Sequence, residues 1–165
     1  MDFNSIDSLK DEGFTGFVNI NELRHKKDFL PNKLGVYLVL NPYYTKPDFL
    51  EIGTGGYFQD RKPNVSIETL KENWVNGSLV LYIGKAGGKN NKSTIRKRIS
   101  QYLDFGVGLP VGHYGGRYIW QLKYSGELVL CWKVLGEMEP REYENKLISE
   151  FRLQFGMRPF ANLKD

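Results

Sequence analysis

Two continuous apolar runs stand out in the hydrophobic pattern of this chain and predict two strands. Residues 34–40 (LGVYLVL) and residues 79–83 (LVLYI) contain no charged side chain, and a turn signal follows each run. Apolar runs of strand length without polar alternation are typical of strands that are buried on both faces. We therefore expect both segments in the middle of a sheet, where Tyr37 and Tyr82 each project beside a glycine that leaves room.

A helical pattern begins at Thr94, after a loop rich in Gly, Lys and Asn. At 100° per residue, one face of this helix collects the apolar side chains of Ile95, Ile99, Tyr102 and Leu103. Lys97 falls on the opposite side and should face solvent. Arg98 lies at the border of the apolar stripe, so its guanidinium can lean over the sheet toward Tyr82.

The last predicted helix runs from Pro140 to Gly156 and carries one misplaced charge. Its apolar stripe consists of Tyr143, Leu147, Ile148, Phe151 and Phe155. With Leu147 at zero, Glu144 falls at about 60°, in the middle of that stripe, whereas Glu142 points away from it. An ionised carboxylate on a buried face costs several kcal/mol unless it is paired or bound to a cation. Either an Arg or Lys side chain or a metal ion should therefore meet Glu144.

The segments before and between the two strands are predicted to be mainly helical. Residues 1–33 form an N-terminal helical extension with two short helices, at residues 5–12 and 20–27. Residues 41–78 form an insertion that ends in a helix, with Ser66 as its N-cap.

A glycine-rich loop at residues 107–117 precedes a predicted β-hairpin. Its strands are residues 118–124 and 127–135, and Ser-Gly between them is typical of a tight turn. His113 and Arg117 should lie on the loop and outside the core, where binding groups are often found.

Length and composition indicate one domain, residues 1–165, without a linker-like stretch. The formal net charge of +4 is a weak indication of a polyanionic partner. Cys131 is the single cysteine, so no disulfide can form within the chain. Residues 1–30 lack a signal-peptide pattern, and no stretch of eighteen apolar residues occurs. We therefore expect a cytoplasmic protein that does not enter a membrane.

An arginine, an isolated carboxylate and two tyrosines together suit phosphodiester hydrolysis. A hard cation held by one carboxylate and several waters neutralises a phosphate, and a guanidinium binds phosphate oxygens as a planar fork. A tyrosine with a pKa near its usual 10 is a poor base unless cations lower that pKa. We expect Lys85, three residues after Tyr82, or the metal itself to do so.

The same residues, read in order, resemble the motifs of the GIY-YIG nucleases. The series consists of Gly35-Val36-Tyr37, Tyr82-Ile83-Gly84 with Lys85-Ala86, Arg98 in IRKRISQY, Glu144 in YENKLI and Asn162 in RPFAN. Either triplet alone is weak, but the five-part series is specific and spans residues 35–162. The resemblance implies an α+β fold, in which helices flank a small central antiparallel β-sheet. To this fold the chain would add the β-hairpin and the insertion.

The resemblance also implies an activity and a role for each motif residue. The activity is cleavage of DNA that depends on Mg²⁺ or Mn²⁺. Tyr37 and Tyr82 would position or deprotonate water, and Arg98 would bind the phosphate. Glu144 would be the metal ligand, and Asn162 would support the site.

Other side chains and the insertion are expected to contribute to specificity. Candidate DNA contacts are the basic and loop residues Lys89, Lys92, Arg96, His113 and Arg117. The insertion is much longer than the segment found in compact members of the family, and it could read DNA, form a dimer contact or cover the sheet. A nuclease with one site per subunit favours a homodimer if both strands must be cut.

Two other functions remain open from the sequence. A strand, the loop GKAGGKNNKST and a helix resemble a phosphate-loop nucleotidase in outline. The spacing fails, however, because Asn90 follows Gly88-Lys89 where that motif needs Ser or Thr. The second alternative is a non-catalytic nucleic-acid-binding protein with the same fold.

Overall fold

A four-stranded antiparallel sheet forms the centre of the computed structural model, which describes residues 1–163. The strands are β1 (Thr15–Asn19), β2 (Gly35–Leu40), β3 (Val80–Ala86) and β4 (Val129–Val134). Their order across the sheet is β1-β4-β2-β3. The sheet packs against helices, which confirms the expected α+β fold.

Five α-helices and three 3₁₀ turns accompany the sheet in the described chain. The helices are α1 (Ile6–Asp11), α2 (Ile20–Leu23), α3 (Ile67–Asn73), α4 (Ile95–Gly106) and α5 (Pro140–Phe155). The 3₁₀ turns are Lys27–Phe29, Arg117–Gln121 and Ser125–Glu127. A side-chain oxygen caps each α-helix by accepting a hydrogen bond from an amide of its first turn, and Ser66 caps α3 as predicted. Within residues 1–163, no helix has the length and apolar character needed to cross a bilayer.

The two longest helices cover opposite faces of the sheet. Tyr37 and Val39 of β2 pack in one hydrophobic cluster with the stripe of α4, whose four predicted residues are all buried. The alternate β2 residues, including Val36 and Leu38, pack in a second cluster with the stripe of α5. This alternation explains why β2 is apolar throughout, because both of its faces are buried.

Strand β3 is an edge strand, although its apolar run predicts a central one. It pairs with β2 on one side, and the segment after α5 runs along its other side. There Ala161 N donates to Leu81 O at 2.9 Å, and the Asn162 amide bonds to both Ile83 N and Ile83 O, at 2.9 and 2.8 Å. Covering the edge in this way buries β3 as fully as a central strand.

The predicted β-hairpin is wrong, because residues 117–121 and 125–127 form 3₁₀ turns and β4 has no hairpin partner there. Residues of the insertion form hydrogen bonds with the backbone of the segment that was predicted as the first hairpin strand. Leu50 N donates to Gln121 O at 2.8 Å, and Thr54 N donates to Trp120 O at 3.0 Å. These bonds hold the segment against residues 49–54 instead of against β4.

The N-terminal extension contains a strand where helices alone were expected. Strand β1 pairs with β4, and α2 ends at Leu23, four residues before the predicted end. The strand is irregular at Gly16, which has a φ of 94° and lies under the ring of Trp132. A Cβ there would lie 2.5 Å from that ring. The irregularity breaks the two-residue alternation by which short strands are recognised.

The glycine of the second triplet makes room for the tyrosine of the first. Gly84 pairs directly with Tyr37 across β2 and β3. A Cβ on Gly84 would lie 2.5 Å from Tyr37 Cζ and 2.7 Å from its hydroxyl oxygen. The space for the Tyr37 ring is therefore left by a glycine of the neighbouring strand, whereas the expectation was a glycine on the same strand as each tyrosine.

We predict that Gly84→Ala destabilises the protein by about 1–3 kcal/mol, because the new methyl group must displace the fully buried Tyr37 ring. Urea unfolding followed by tyrosine and tryptophan fluorescence measures the change. Gly136→Ala is the matched control, since a Cβ there meets no atom within 4 Å, and it should change stability by less than about 0.5 kcal/mol. Equal effects of the two substitutions would contradict the packing argument.

Candidate active site

Three tyrosine rings from three separate elements form the floor of the candidate site. Tyr37 comes from β2, Tyr82 from β3 and Tyr102 from α4. The ring centroid of Tyr37 lies 6.0 Å from that of Tyr82 and 6.3 Å from that of Tyr102, and the latter two are 5.7 Å apart. Tyr37 and Tyr102 are fully buried, whereas Tyr82 keeps 7% of its surface exposed. Tyr82 is therefore the ring of this cluster that reaches the cleft.

All three phenols have a raised pKa, which corrects the expectation that Lys85 lowers the pKa of Tyr82. Burial raises the pKa of Tyr37 to about 12, against the opposing charge of Arg98 and a hydrogen bond with Tyr82. Burial also raises the pKa of Tyr82 and Tyr102 well above 10. The hydroxyl groups therefore stay protonated near neutral pH, because desolvation outweighs the neighbouring cation.

His113 belongs to the core, although its position in a glycine-rich loop predicts an exposed side chain. It is 1% exposed, its Nε2 lies 3.4 Å from the Tyr37 hydroxyl, and its ring centroid lies 4.7 Å from that of Tyr102. Its Nδ1 has no hydrogen-bond partner in the described chain. Burial, with a contribution from Arg98, holds the pKa of His113 well below 6.5, so the imidazole is neutral at pH 7.

The loop can fold inward because it packs its backbone directly against the tyrosines. The Tyr102 hydroxyl donates to Gly116 O at 3.0 Å. Gly116 has a φ of 73°, and a Cβ there would lie 2.9 Å from the Tyr82 ring. Glycine is favoured here both by the left-handed backbone and by the contact with Tyr82. Because the loop packs against the tyrosines in this way, the side chain of His113 lies in the core.

Arg98 is the cation at the centre of the site. Its charge lowers the pKa of the groups around it, which come from β2, β3, the loop and α5: Tyr37, Tyr82, His113 and Glu144. One guanidinium nitrogen lies 3.4 Å from Gln101 Oε1. Lys97, its neighbour on α4, is exposed as predicted. The sequence position at the border of the helix stripe thus places Arg98 between the buried rings and the surface.

Glu144 lines a cleft of about 640 Å³ together with Tyr82 and Asn162. Burial raises its pKa to about 7, although the charges of Lys85, Arg98 and Arg141 act in the opposite direction. Within residues 1–163, no hydrogen bond or ion pair joins its carboxylate to another side chain. The first of the two expected explanations, a direct ion pair with Arg or Lys, is therefore not what the structure contains.

The remaining motif residues have clear structural contacts. Asn162 closes the edge of β3 through Ile83, one residue beyond Tyr82, so it fixes the strand that carries this tyrosine. The ammonium group of Lys85 lies 3.3 Å from Gly87 O and contributes its charge to Glu144.

The five candidate DNA contacts lie in different surroundings. Lys89 and Lys92 are exposed in the loop between β3 and α4, and Arg117 lines the cleft. Arg96 instead donates hydrogen bonds to Leu30 O and Asp28 O, both at 2.9 Å. These bonds tie α4 to the N-terminal extension. Arg117 is therefore the one of the five that lines the same cleft as Glu144, whereas Arg96 and the buried His113 face the protein itself.

The donor set at the cleft fits a hard divalent cation. No group of three His, Cys, Asp or Glu side chains in residues 1–163 forms a metal site made of protein ligands alone. Mg²⁺ does not need one, because it keeps several waters and binds through one or two carboxylates together with substrate phosphates. Glu144 offers a carboxylate at an open cleft, and residues 1–163 provide no ion-pair partner for it, which matches this requirement.

The chain matches no family model, no curated protein and no solved structure. The resemblance to the GIY-YIG nucleases therefore rests on the motif residues of the sequence alone.

Sequence reasoning misplaced one contributor to this region and missed another. His113 was expected on the loop surface as a candidate DNA contact, and its burial gives no periodic signal because it lies between Gly112 and Tyr114 in a glycine-rich loop. Arg61, which lines the cleft, lies in the insertion, where the hydrophobic pattern is weak. The local sequence is Asp60-Arg61-Lys62-Pro63, and it offers no hydrophobic period by which Arg61 could be placed.

We predict that Glu144→Gln makes protein stability less dependent on pH in metal-free buffer. The folded pKa of about 7 lies above the ordinary 4.5, so the wild type loses stability as pH rises from 4.5 through 7. Glu144→Gln should gain roughly 1–2 kcal/mol over the wild type between about pH 5 and pH 8, after allowance for partial exposure. Thermal unfolding with EDTA measures this difference. Glu142→Gln, on the exposed side of α5, should show no such trend, and a pH-independent difference for Glu144→Gln would contradict the prediction.

We predict the opposite pH trend for His113. Its folded pKa lies below the ordinary 6.5, so the unfolded chain binds a proton first and the wild type loses stability as pH falls below about 6.5. His113→Gln should reduce this acid sensitivity in unfolding experiments between about pH 7 and pH 5. His25→Gln, at the other histidine of the chain, is exposed and serves as the control. Unchanged acid sensitivity in His113→Gln would show that the imidazole is not held neutral.

Proposed function

We propose that this protein is a metal-dependent endonuclease of the GIY-YIG type that hydrolyses phosphodiester bonds in DNA. The observation that carries the proposal is the convergence of Arg98, Glu144 and the two tyrosines. Tyr82 and Glu144 line the cleft, Tyr37 packs behind Tyr82, and the charge of Arg98 acts on all three. These residues lie on α4, α5, β2 and β3, far apart in sequence. They are the same positions on which the resemblance to the nuclease family rests.

Arg98 is the phosphate-binding group in this proposal. A guanidinium binds two phosphate oxygens in one plane and favours the more highly charged transition state. The surroundings of Arg98 strengthen this role, because its neighbours Tyr37, Tyr82 and His113 are neutral near pH 7. The positive charge of Arg98 is therefore available to bind an anionic phosphate.

Glu144 is the residue that would hold Mg²⁺ or Mn²⁺. The ion, when bound, would supply charge neutralisation at the phosphate and stabilisation of the leaving oxygen. Lys85 adds positive charge beside Glu144 and thereby favours the ionised carboxylate that a cation needs.

The two motif tyrosines contribute neutral hydroxyl groups, of which that of Tyr82 can reach and position water. With raised pKa values they act as hydrogen-bonding groups, and a phenolate base is disfavoured. Tyr82 is the one with exposed surface, and Tyr37 supports it from behind. His113 Nε2 contacts the Tyr37 hydroxyl and fixes its direction. Each chain carries one such site, so cleavage of both DNA strands favours two subunits.

A plasmid-nicking assay tests the proposal. The wild type should nick supercoiled plasmid with Mg²⁺ or Mn²⁺ and not with EDTA. Arg98→Ala and Glu144→Gln should each lower the rate by at least about 100-fold, because each removes charge stabilisation of the transition state. Lys97→Ala and Glu142→Gln remove exposed charges from the same two helices and should nick like the wild type.

The result for the wild type also distinguishes a nuclease from a non-catalytic nucleic-acid-binding protein. DNA binding without cleavage by any metal-loaded sample would overturn the nuclease proposal. It would leave the non-catalytic nucleic-acid-binding protein with this fold.

A further inference from the structure

The insertion builds one wall of the cleft and joins the glycine-rich loop at one side chain, Tyr114. The Tyr114 hydroxyl donates to Lys62 O at 2.9 Å. Just before Lys62, a tight turn places Arg61 opposite Phe58, with Gln59 and Asp60 at φ values of 50° and 57°. Positive φ at both central residues is the geometry of a type I′ turn. The turn presents Arg61 to the ring of Tyr114.

Tyr114 holds two arginines, one from each wall. The Cζ atoms of Arg117 and Arg61 lie 3.9 and 5.8 Å from the centroid of its ring. Arg117 also lies 5.1 Å from the ring centroid of Tyr118. Stacking fixes the plane of a guanidinium without using the donors at its edge. The Arg117 guanidinium is therefore oriented in advance while its outer N–H groups remain available.

Neither arginine has a carboxylate partner within the described chain. No ion pair or side-chain hydrogen bond is formed by Arg61 or Arg117, and the Nε of Arg117 is buried without an acceptor. The cleft is also lined by Arg158, and Glu144 is its one acidic lining residue among the described positions. Two like charges beside one ring repel each other unless an anion lies between or near them. This arrangement calls for an anionic ligand with several oxygen acceptors.

We propose that Arg61 and Arg117 form a second phosphate-binding subsite, which takes a phosphate of an unpaired nucleic-acid strand next to the phosphate bound by Arg98. The inference rests on the proposed function, since the same cleft contains Tyr82 and Glu144. It gives the insertion a role, because Arg61 belongs to the insertion and Arg117 to the loop.

The size of the cleft favours an unpaired strand over a duplex. Clefts of roughly 300–1,000 Å³ enclose ligands of drug size, which is the scale of one or two nucleotides. The cleft here has about 640 Å³ and is walled by the insertion, the loop and residues 158–163. A base-paired duplex, whose major groove alone is about 12 Å wide, is too large to be enclosed by a cleft of this volume and would have to lie across its mouth. A positively charged groove with aromatic side chains is also the usual form of a single-strand site.

Equilibrium binding of a short fluorescent DNA oligonucleotide tests the subsite without requiring cleavage. The parent protein carries Glu144→Gln, so that the strand stays intact. Arg117→Ala and Arg61→Ala should each weaken binding of the single strand by roughly tenfold, since each removes a charge-assisted contact. Each should also lower the slope of log affinity against log salt concentration by roughly 0.7. Lys97→Ala removes an exposed charge away from the cleft and should leave both quantities unchanged.

Two further binding measurements make the test more specific. Arg117→Lys keeps the charge but loses the planar fork, and it should bind nearly as weakly as Arg117→Ala. Blunt duplex of the same sequence should bind more weakly than the single strand and depend less on Arg117.

Unchanged affinity and salt slope in Arg117→Ala and Arg61→Ala would overturn the subsite, even if the wild type nicks plasmid. Equal binding of the duplex with the same dependence on Arg117 would overturn the assignment to an unpaired strand. Failure of the nuclease proposal appears separately, as absence of nicking by the wild type.

Discussion

The Tyr37 ring lies directly against Gly84, and the rest of the site depends on that contact. Because these residues are paired across β2 and β3, the ring can be buried with no side chain opposite it. Its two buried neighbours, Tyr102 and His113, come from α4 and the glycine-rich loop. A slip of one residue in this pairing would turn Tyr37 toward α5 and separate it from all of them. The register of two strands thus fixes a site whose members are scattered along the chain.

Burial also sets the charge of the site. Three phenols and one imidazole are neutral near pH 7, because desolvation favours the uncharged form of each. At Tyr37 and Tyr82 desolvation outweighs the charge of Arg98, whereas at His113 the two act in the same direction. Glu144, with its pKa of about 7, is only partly ionised in the absence of a cation. Arg98 therefore remains as a cation with little compensating negative charge around it. In the proposed function, this charge would attract the phosphate, and Glu144 would become fully ionised when a cation binds.

The sequence was sufficient where a periodic pattern reports burial directly. The stripes of α4 and α5, the isolation of Glu144 and the border position of Arg98 all followed from helix angles. The pattern failed where another segment changes the environment. An apolar run cannot distinguish a central strand from an edge covered by Asn162, and a strand with an irregularity at Gly16 loses its alternation.

Loops were the other source of error, since their conformation depends on partners that are distant in sequence. His113 is buried because Gly116 packs on Tyr82, and the false hairpin arose because the insertion takes the backbone bonds of residues 120 and 121. Neither interaction produces a recognisable pattern in the sequence around the residues concerned. The positions most specific to this chain are therefore the ones that sequence reasoning predicts least well.

The amide of Asn162 also limits how two copies of this chain can associate. An open strand edge is a template for pairing with another chain, and the Asn162 side chain occupies the free edge of β3 at Ile83. The opposite edge of the sheet is β1, which is irregular between Thr15 and Val18 and so offers a poor continuous ladder. Association by extending the sheet is disfavoured at both ends. A dimer that brings two sites to one DNA would instead join through helices or loops, which leaves the spacing of its two cuts to be set by side-chain packing.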